Sequence, residues 1–356
     1  MNIFESMAKD GHEQLIFCHD KTSGLKAIIG IHDTSLGPAL GGCRMWPYSK
    51  EEDAVVDVLR LSRGMTYKSG AAGCNYGGGK VVLWGDPQKD KSEELFRALG
   101  RFVEGLNGRF ITGTDVGTVA SDFVWSSYET SYVVALPEEF GGSGDSSVIT
   151  AYGVWRGIKA CAKEVFGDDQ LKGLRVAVQG VGKVGYHLVG HLYEEGAMVT
   201  VCDINKAYVD RVVAKYPVRV VEPDAIYDVE CDIFSPNALG GVINDETLPR
   251  LKCKIVAGAA NNQLKEDRHG DLLHAKGILY APDYVINAGG LIQVADELQG
   301  FNRDRAFKKA AAIYDLLLRI FAISKRDGIP TYAAADVMVG ERIERLTKVS
   351  QLYVRG

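Results

Sequence analysis

The stretch from Arg175 to Asp203 narrows the possible folds more than any other part of the chain. Arg175-Val-Ala-Val-Gln179 is a short apolar run of strand character, and Gly180-Val181-Gly182-Lys183-Val184-Gly185 follows it without a spacer. Helical spacing then holds over Lys183–Glu194, and Met198–Cys202 is a second apolar run closed by Asp203. A strand, a tight turn, a helix and another strand in this order pack together when the helix crosses back over the sheet, which makes the strands parallel. Further apolar runs at 231–234, 254–256 and 278–280 keep the same rhythm. An α/β fold with a parallel sheet is therefore expected.

The three glycines of the turn have separate tasks. Gly180 permits the tight turn, Gly182 removes a side chain where backbone would meet a pyrophosphate, and Gly185 lets helix and strand close up. The helix N-terminus adds free amides and partial positive charge for phosphate oxygens. Asp203 lies at the spacing of about 20 residues at which a carboxylate accepts ribose hydroxyls, and it would repel a 2′-phosphate. NAD is thus expected over NADP, held by Gly180, Val181, Gly182, Lys183, Val184, Gly185, Asp203 and Ile204. The competing reading is a glycine-rich turn of a nucleotide-free domain. Small and amide residues at 235–237, 258–262 (with Ala260) and 287–290 follow later apolar runs, where open sheets bind ligands. Any one of these segments reads equally well as an ordinary turn.

Upstream, strands and helices mix. A strand is expected at 25–32 and a turn-rich segment at 36–42. A helix capped by Ser49 and Glu52 should end at Gly64, and another should span 93–106. Residues 141–144 read as a linker, 151–165 as a helix, and 306–325 and 332–346 as amphipathic helices. With 356 residues the chain has room for two domains. A formal charge of −5 gives no footprint for nucleic acid. No apolar stretch reaches membrane-spanning length, and the N-terminus lacks a signal-peptide pattern. The seven cysteines form no Cys-x-x-Cys pair, so neither a disulfide framework nor a structural metal site is expected. These features point to the cytoplasm.

Lys68 and Lys80 sit in small-residue surroundings, Lys80 directly after Gly77-Gly78-Gly79. Cys74 and Val81 break the pattern of a Walker phosphate loop. One such lysine suits a substrate carboxylate, and the other, lowered in pKa by burial, suits acid/base work near neutral pH. Asp115 in Thr112-Gly113-Thr114-Asp115 offers a second proton carrier. Solvated surface charges are the bland alternative for each. His187 and His191 stand one helical turn apart, but no third ligand is evident, and helix-surface residues are expected. Cys74 has no histidine partner and reads as a small loop residue.

At this point the chain resembles the leucine/phenylalanine branch of the Glu/Leu/Phe/Val dehydrogenase superfamily. The likeness is carried by Gly37-Pro-Ala-Leu-Gly-Gly42, Met65-Thr-Tyr-Lys68, Gly77-Gly-Gly-Lys80, Thr112-Gly-Thr-Asp115, Gly180–Gly185 and Ala281-Pro-Asp-Tyr-Val-Ile-Asn-Ala-Gly-Gly290. The resemblance implies two domains separated by a cleft. An N-terminal α/β substrate and oligomerisation domain would cover 1–135 and a Rossmann-type doubly wound NAD-binding domain 136–330, with a C-terminal helix, 331–356, packing back on the first. It further implies that Lys68 binds the substrate carboxylate, Lys80 activates water and Asp115 moves protons at the amino nitrogen. Gly41, Met65, Gly113, Asn262 and Leu291 would face the substrate. Arg44, Thr150, Ala238, Ala260, Asn261 and Asn287 would lie near the cofactor. The implied reaction is reversible oxidative deamination of an L-amino acid to a 2-oxo acid and ammonia, by a homo-oligomer, octameric first, dimeric or tetrameric otherwise.

Gly113 stands where leucine-type members tend to carry alanine, and Gly142, Asp145, Asn262 and Leu291-Ile-Gln293 follow the phenylalanine-type pattern. The segment 73–76 and the C-terminal region look closer to leucine-type enzymes. Cys74, Tyr76 and Asn237 depart from both patterns. Phenylalanine is the expected substrate, leucine the next, tryptophan the third. A silent NAD-sensing protein on the same fold is the alternative of a different class.

Overall fold

The computed structural model describes residues 2–350. It divides into two compact units, 1–144 with 294–301 and 339–356, and 145–293 with 302–338. The last residues of the expected C-terminal helix, 351–356, lie outside the described ones.

The first unit is built on a mixed six-stranded sheet. Its strands are β1 (Gln14–Asp20), β2 (Leu25–Asp33), β3 (Ala39–Leu40), β4 (Cys43–Trp46), β5 (Gly77–Trp84) and β6 (Phe110–Ile111). β1, β2 and β5 run antiparallel in turn, while β3 and β4 both pair parallel with β5, and β6 with β3. Ile29, Ile31, Met45, Val81, Leu83, Phe96, Leu99, Phe110 and Phe123 form the core of this unit.

The helix after β4 differs from expectation at both ends. It spans Glu51–Ala71, with Lys50 at its N-cap and no side-chain cap. Ser49 instead donates to Asp53, and the acidic first turn, Glu51, Glu52 and Asp53, complements the helix dipole. Gly64 does not end the helix. A single exposed glycine costs about 1 kcal/mol, which burial of Thr66, Ser69, Gly70 and Ala71 in the following turns outweighs. Lys68 therefore stands within this helix. The helix expected at 93–106 spans Glu93–Glu104, capped by the Ser92 hydroxyl.

The first unit extends past residue 135, through Gly144. Glu297 accounts for this locally: its carboxylate accepts the backbone N–H groups of Ala135 (2.7 Å) and Ser143 (2.8 Å). The last helix, Thr331–Ser350, brings Arg342 to donate to the Gly70 carbonyl (2.8 Å) and to Asn75 Oδ1 (2.9 Å).

The second unit holds a wholly parallel six-stranded sheet in the order β12-β11-β10-β7-β8-β9. Its strands are β7 (Arg175–Gln179), β8 (Met198–Cys202), β9 (Arg219–Val220), β10 (Ile233–Pro236), β11 (Ile255–Val256) and β12 (Leu279–Tyr280). The order reverses at β7, between β8 and β10, which is where doubly wound sheets open a crevice at their carboxyl ends. Residues expected as one helix over 306–325 form two, Arg303–Ala311 and Ile313–Asp327, interrupted at Ala312. Among the described residues no helix is long and apolar enough to cross a membrane.

Candidate active site

In the first unit the glycine triplet is a buried strand and not a loop. A Cβ on Gly78 would fall 2.1 Å from Thr66 Oγ1 and 2.2 Å from Thr66 N, and one on Gly79 would fall 2.6 Å from the Phe110 ring. The missing side chains let the Glu51–Ala71 helix lie directly on β5. This closeness puts Lys80, two residues along, into the interior, where it is 5% exposed. Gly41 is held equally tightly, since its Cβ would meet the Gly79 carbonyl at 1.7 Å and Met65 Cγ at 3.2 Å.

Asp115 stands on a loop pinned to β4. Its N–H donates to Thr118 Oγ1 (3.0 Å), and that hydroxyl donates to the Cys43 carbonyl (2.9 Å). Lys80 Nζ lies 3.2 Å from Asp115 Oδ2, and Arg44 Nε donates to the same oxygen at 3.1 Å. Arg44 also reaches Asp57 (3.1 Å), which accepts the Tyr48 hydroxyl (2.7 Å) and Arg60 (2.8 Å). Burial pushes the Lys80 pKa below the usual lysine value, against the opposing pull of Asp115. Burial also opposes ionisation of Asp115, but the Lys80 and Arg44 cations outweigh it and hold the carboxyl below the usual range. A buried lysine with a lowered pKa beside an ionised carboxylate has the makings of an acid/base couple.

The structure thus brings Lys80, Asp115 and Arg44 together, with Gly41 and Met65 in contact beside β5. Arg44, expected near the cofactor, is bound to the acid. Lys68 lies in the last turn of the neighbouring helix. The Cβ that Gly113 lacks would point at Val134, 2.9 Å from its carbonyl oxygen, and not into open space. Asp57 and Tyr48 gave no signal in the sequence, because only the fold places them behind Arg44.

In the second unit each glycine of the turn behaves as its task demands. Gly180 has φ +91° and its Cβ would strike Ala238, and the Cβ of Gly185 would fall 2.1 Å from the Gly180 carbonyl. Space is open where a Gly182 side chain would stand. Asp203 Oδ2 accepts the Val181 N–H (2.8 Å) and Oδ1 the Asn205 N–H (2.8 Å), so the carboxylate is fixed beside the turn. Lys183 is exposed and pairs with Asp145, Val184 is half-buried, and Ile204 is 89% exposed. The arrangement sets a carboxylate beside the turn, with open space at Gly182 where an anionic group could approach. Arg211, which the sequence did not single out, donates to the Val181 and Gly182 carbonyls.

Amides knit the other strand ends. Asn237, the unusual residue after β10, donates to the Ser235 carbonyl and accepts the Ala259 N–H (2.9 Å). Asn287 donates to the Ala259 carbonyl (3.1 Å) and to Asn261 Oδ1 (2.7 Å). Ala260 is buried, Asn262 has a left-handed φ of +51°, and Thr150 lies against Gly290, next to Leu291. His187 and His191 are not plain surface residues: His191 stacks on Trp155 and His187 packs edge-on to Tyr186. Among the described residues no cluster of three metal-ligating side chains occurs.

The family model for the Glu/Leu/Phe/Val dehydrogenase dimerisation domain matches residues 12–132, and the glutamate/leucine/phenylalanine/valine dehydrogenase model matches 141–211 and 205–317. The chain belongs to this dehydrogenase family. As a member it is an oxidoreductase, an amino-acid dehydrogenase. It is 62% identical over 355 residues to a leucine dehydrogenase of Thermoactinomyces intermedius, covering 100% of this chain and 97% of that one. It is 55% identical to a phenylalanine dehydrogenase of Caldalkalibacillus thermarum, covering 96% and 94% of the two chains. Among solved structures, L-tryptophan dehydrogenase from Nostoc punctiforme matches with a TM-score of 0.88 at 48% identity, over 97% of this chain and 99% of that one.

Proposed function

We propose that the protein catalyses the reversible NAD-dependent oxidative deamination of an L-amino acid, with L-phenylalanine, giving phenylpyruvate and ammonia, as the preferred substrate. The observation that carries this reading is the buried Lys80 held against Asp115, with its pKa below the lysine range. Open space at Gly182 and the fixed carboxylate of Asp203 favour NAD as the cofactor. Val181, Lys183 and Val184 on the turn and Ile204 after β8, with Thr150, Ala238, Ala260, Asn261 and Asn287, complete the residues assigned to it. NAD, when bound, supplies a hydride acceptor for the substrate Cα.

The chain's own residues do the rest. Lys68 binds the substrate carboxylate as a point charge, beside Gly41 and Met65. Asp115 takes the proton from the substrate ammonium so that the nitrogen lone pair can stabilise the carbon losing hydride. Lys80, whose pKa burial lowers, in its deprotonated form accepts a proton from the water that adds to the resulting iminium. Collapse of the adduct releases ammonia and the 2-oxo acid.

Gly113, Asn262 and Leu291 support the aromatic preference, since all three follow the phenylalanine-type pattern. Leucine is the second reading, favoured by the higher identity to leucine dehydrogenases, 62% against 55%. The family model's dimerisation domain supports a homo-oligomer, for which we propose an octamer, in the cytoplasm. Stopped-flow NADH formation with L-Phe, L-Tyr, L-Trp, L-Leu and L-Val tests the reading. The highest kcat/KM is expected for L-Phe. A highest value for L-Leu installs the second reading, and NAD binding without turnover of any substrate leaves only a sensor.

A further inference from the structure

A guanidinium beside a carboxylate usually engages both of its oxygens, because its donors form a rigid fork. Arg44 does not do so here. Only its Nε reaches Asp115, and it reaches Oδ2, the oxygen that Lys80 also binds. Among the described residues no hydrogen bond reaches Oδ1 of Asp115, although this side chain is only 23% exposed.

The reason lies on the other side of the guanidinium. Arg44 Nη1 is committed to Asp57, 3.1 Å from Oδ2 and 3.4 Å from Oδ1. Asp57 is itself fixed by the Tyr48 hydroxyl at 2.7 Å and by Arg60 at 2.8 Å. Its side chain is 16% exposed, so the attachment is shielded from solvent. Tyr48 packs edge-on against Trp84 at the end of β5, the strand that carries Lys80. Arg44 is thus anchored between two carboxylates by Nε and Nη1, and Nη2, the arm that would join Nε in a two-point grip on one carboxylate, makes no hydrogen bond to Asp115 among the described residues.

We propose that Asp57, backed by Tyr48, is a positioning residue for the deamination: it holds Arg44 off Oδ1 of Asp115 and so keeps that oxygen available to accept the substrate proton. In that step an N–H bond of the substrate ammonium breaks, an O–H bond forms at Oδ1, and the electron pair stays on nitrogen. The inference rests on the assignment of Asp115 as the proton acceptor. Without Asp57 the guanidinium rotates and caps both oxygens.

The test is a double-mutant cycle on the full chain with NAD and L-Phe, or whichever amino acid the substrate panel selects. Asp57→Asn should lower kcat about tenfold, leave KM for the amino acid within about twofold, and have no further effect in an Asp115→Asn background. Asp57→Asn/Arg44→Lys should turn over within about threefold of Arg44→Lys alone, because an ammonium is a point charge with no fork to span the two oxygens. Equal losses in both backgrounds, or no loss with Asp115 intact, overturn the inference. If Asp115→Asn itself keeps wild-type turnover, the proton-acceptor assignment fails, and that result is read separately from anything Asp57 does. Should Asp57→Asn not fold, Tyr48→Phe enters the same cycle, with a several-fold loss of kcat expected only when Asp115 is present.

Discussion

Gly78→Ala should damage both stability and turnover, whereas Gly64→Ala, on the helix that Gly78 faces, should stabilise. At Gly78 the new methyl would stand 2.1 Å from Thr66 Oγ1, 2.2 Å from Thr66 N and 2.5 Å from the Ser62 carbonyl. Two of those atoms are helix backbone and cannot rotate away, and the third is held by His32 at 2.8 Å. Overpacking of this kind costs about 1–3 kcal/mol. For a unit of this size that corresponds to a fall of roughly 2–12 °C in Tm. Relief requires β5 to move off the helix, and displacing Lys80 by about 1 Å is enough to cost roughly 100-fold in kcat. Gly64 is exposed, and its Cβ would meet nothing within 4 Å, so alanine there should add about 0.5–1 kcal/mol by helix propensity. Thermal unfolding followed by circular dichroism, with steady-state kinetics on each variant, measures both. An unchanged Tm and kcat in Gly78→Ala, or a loss in Gly64→Ala, would refute the packing argument.

Three further outcomes are expected. Asp203→Ala should weaken NAD binding and relax discrimination against NADP in parallel kinetics with the two cofactors; an unchanged ratio removes the ribose contact. Gly113→Ala should shift the Leu/Phe ratio of kcat/KM toward leucine by roughly 1–3 kcal/mol, through displacement of Val134, and a static ratio excludes this position from the pocket. His12 and His32 pack edge-on, and burial holds both pKa values below the ordinary 6.5, with Asp10 raising that of His12 and Arg63 lowering both. Below about pH 6.5 the unfolded chain then binds protons that the folded one does not, so stability present above that pH is lost as the pH falls, by up to about 1.4 kcal/mol per pH unit per histidine. Urea midpoints at pH 7.5 and 5.5 should show a steeper fall for the wild type than for His32→Gln.

The second unit was the more legible in the sequence. The strand Arg175–Gln179, the helix Lys183–Glu194 and the strand Met198–Cys202 fall where the apolar runs and the glycine turn put them. In the first unit, glycine misled. At Gly64 it read as a helix stop, yet neighbouring burial carries the helix through. At Gly77–Gly79 it gave no sign of a strand, yet it serves the approach of a helix to a strand, a long-range demand with no local pattern. The same limit applies to the candidate site. Lys80 and Asp115 were visible by residue type and setting, but their ion pair depends on β4 and β5 lying side by side. Asp57 and Tyr48 look like ordinary helix and loop residues until Arg44 is placed.

The central claim is that proton chemistry rests on the Lys80–Asp115 pair. Pre-steady-state NADH formation in Lys80→Ala and Asp115→Asn, alongside NAD titrations of the same variants, tests it most directly. The rate should fall about 10²–10⁴-fold in each while NAD affinity holds. Near wild-type rates in either variant would contradict it.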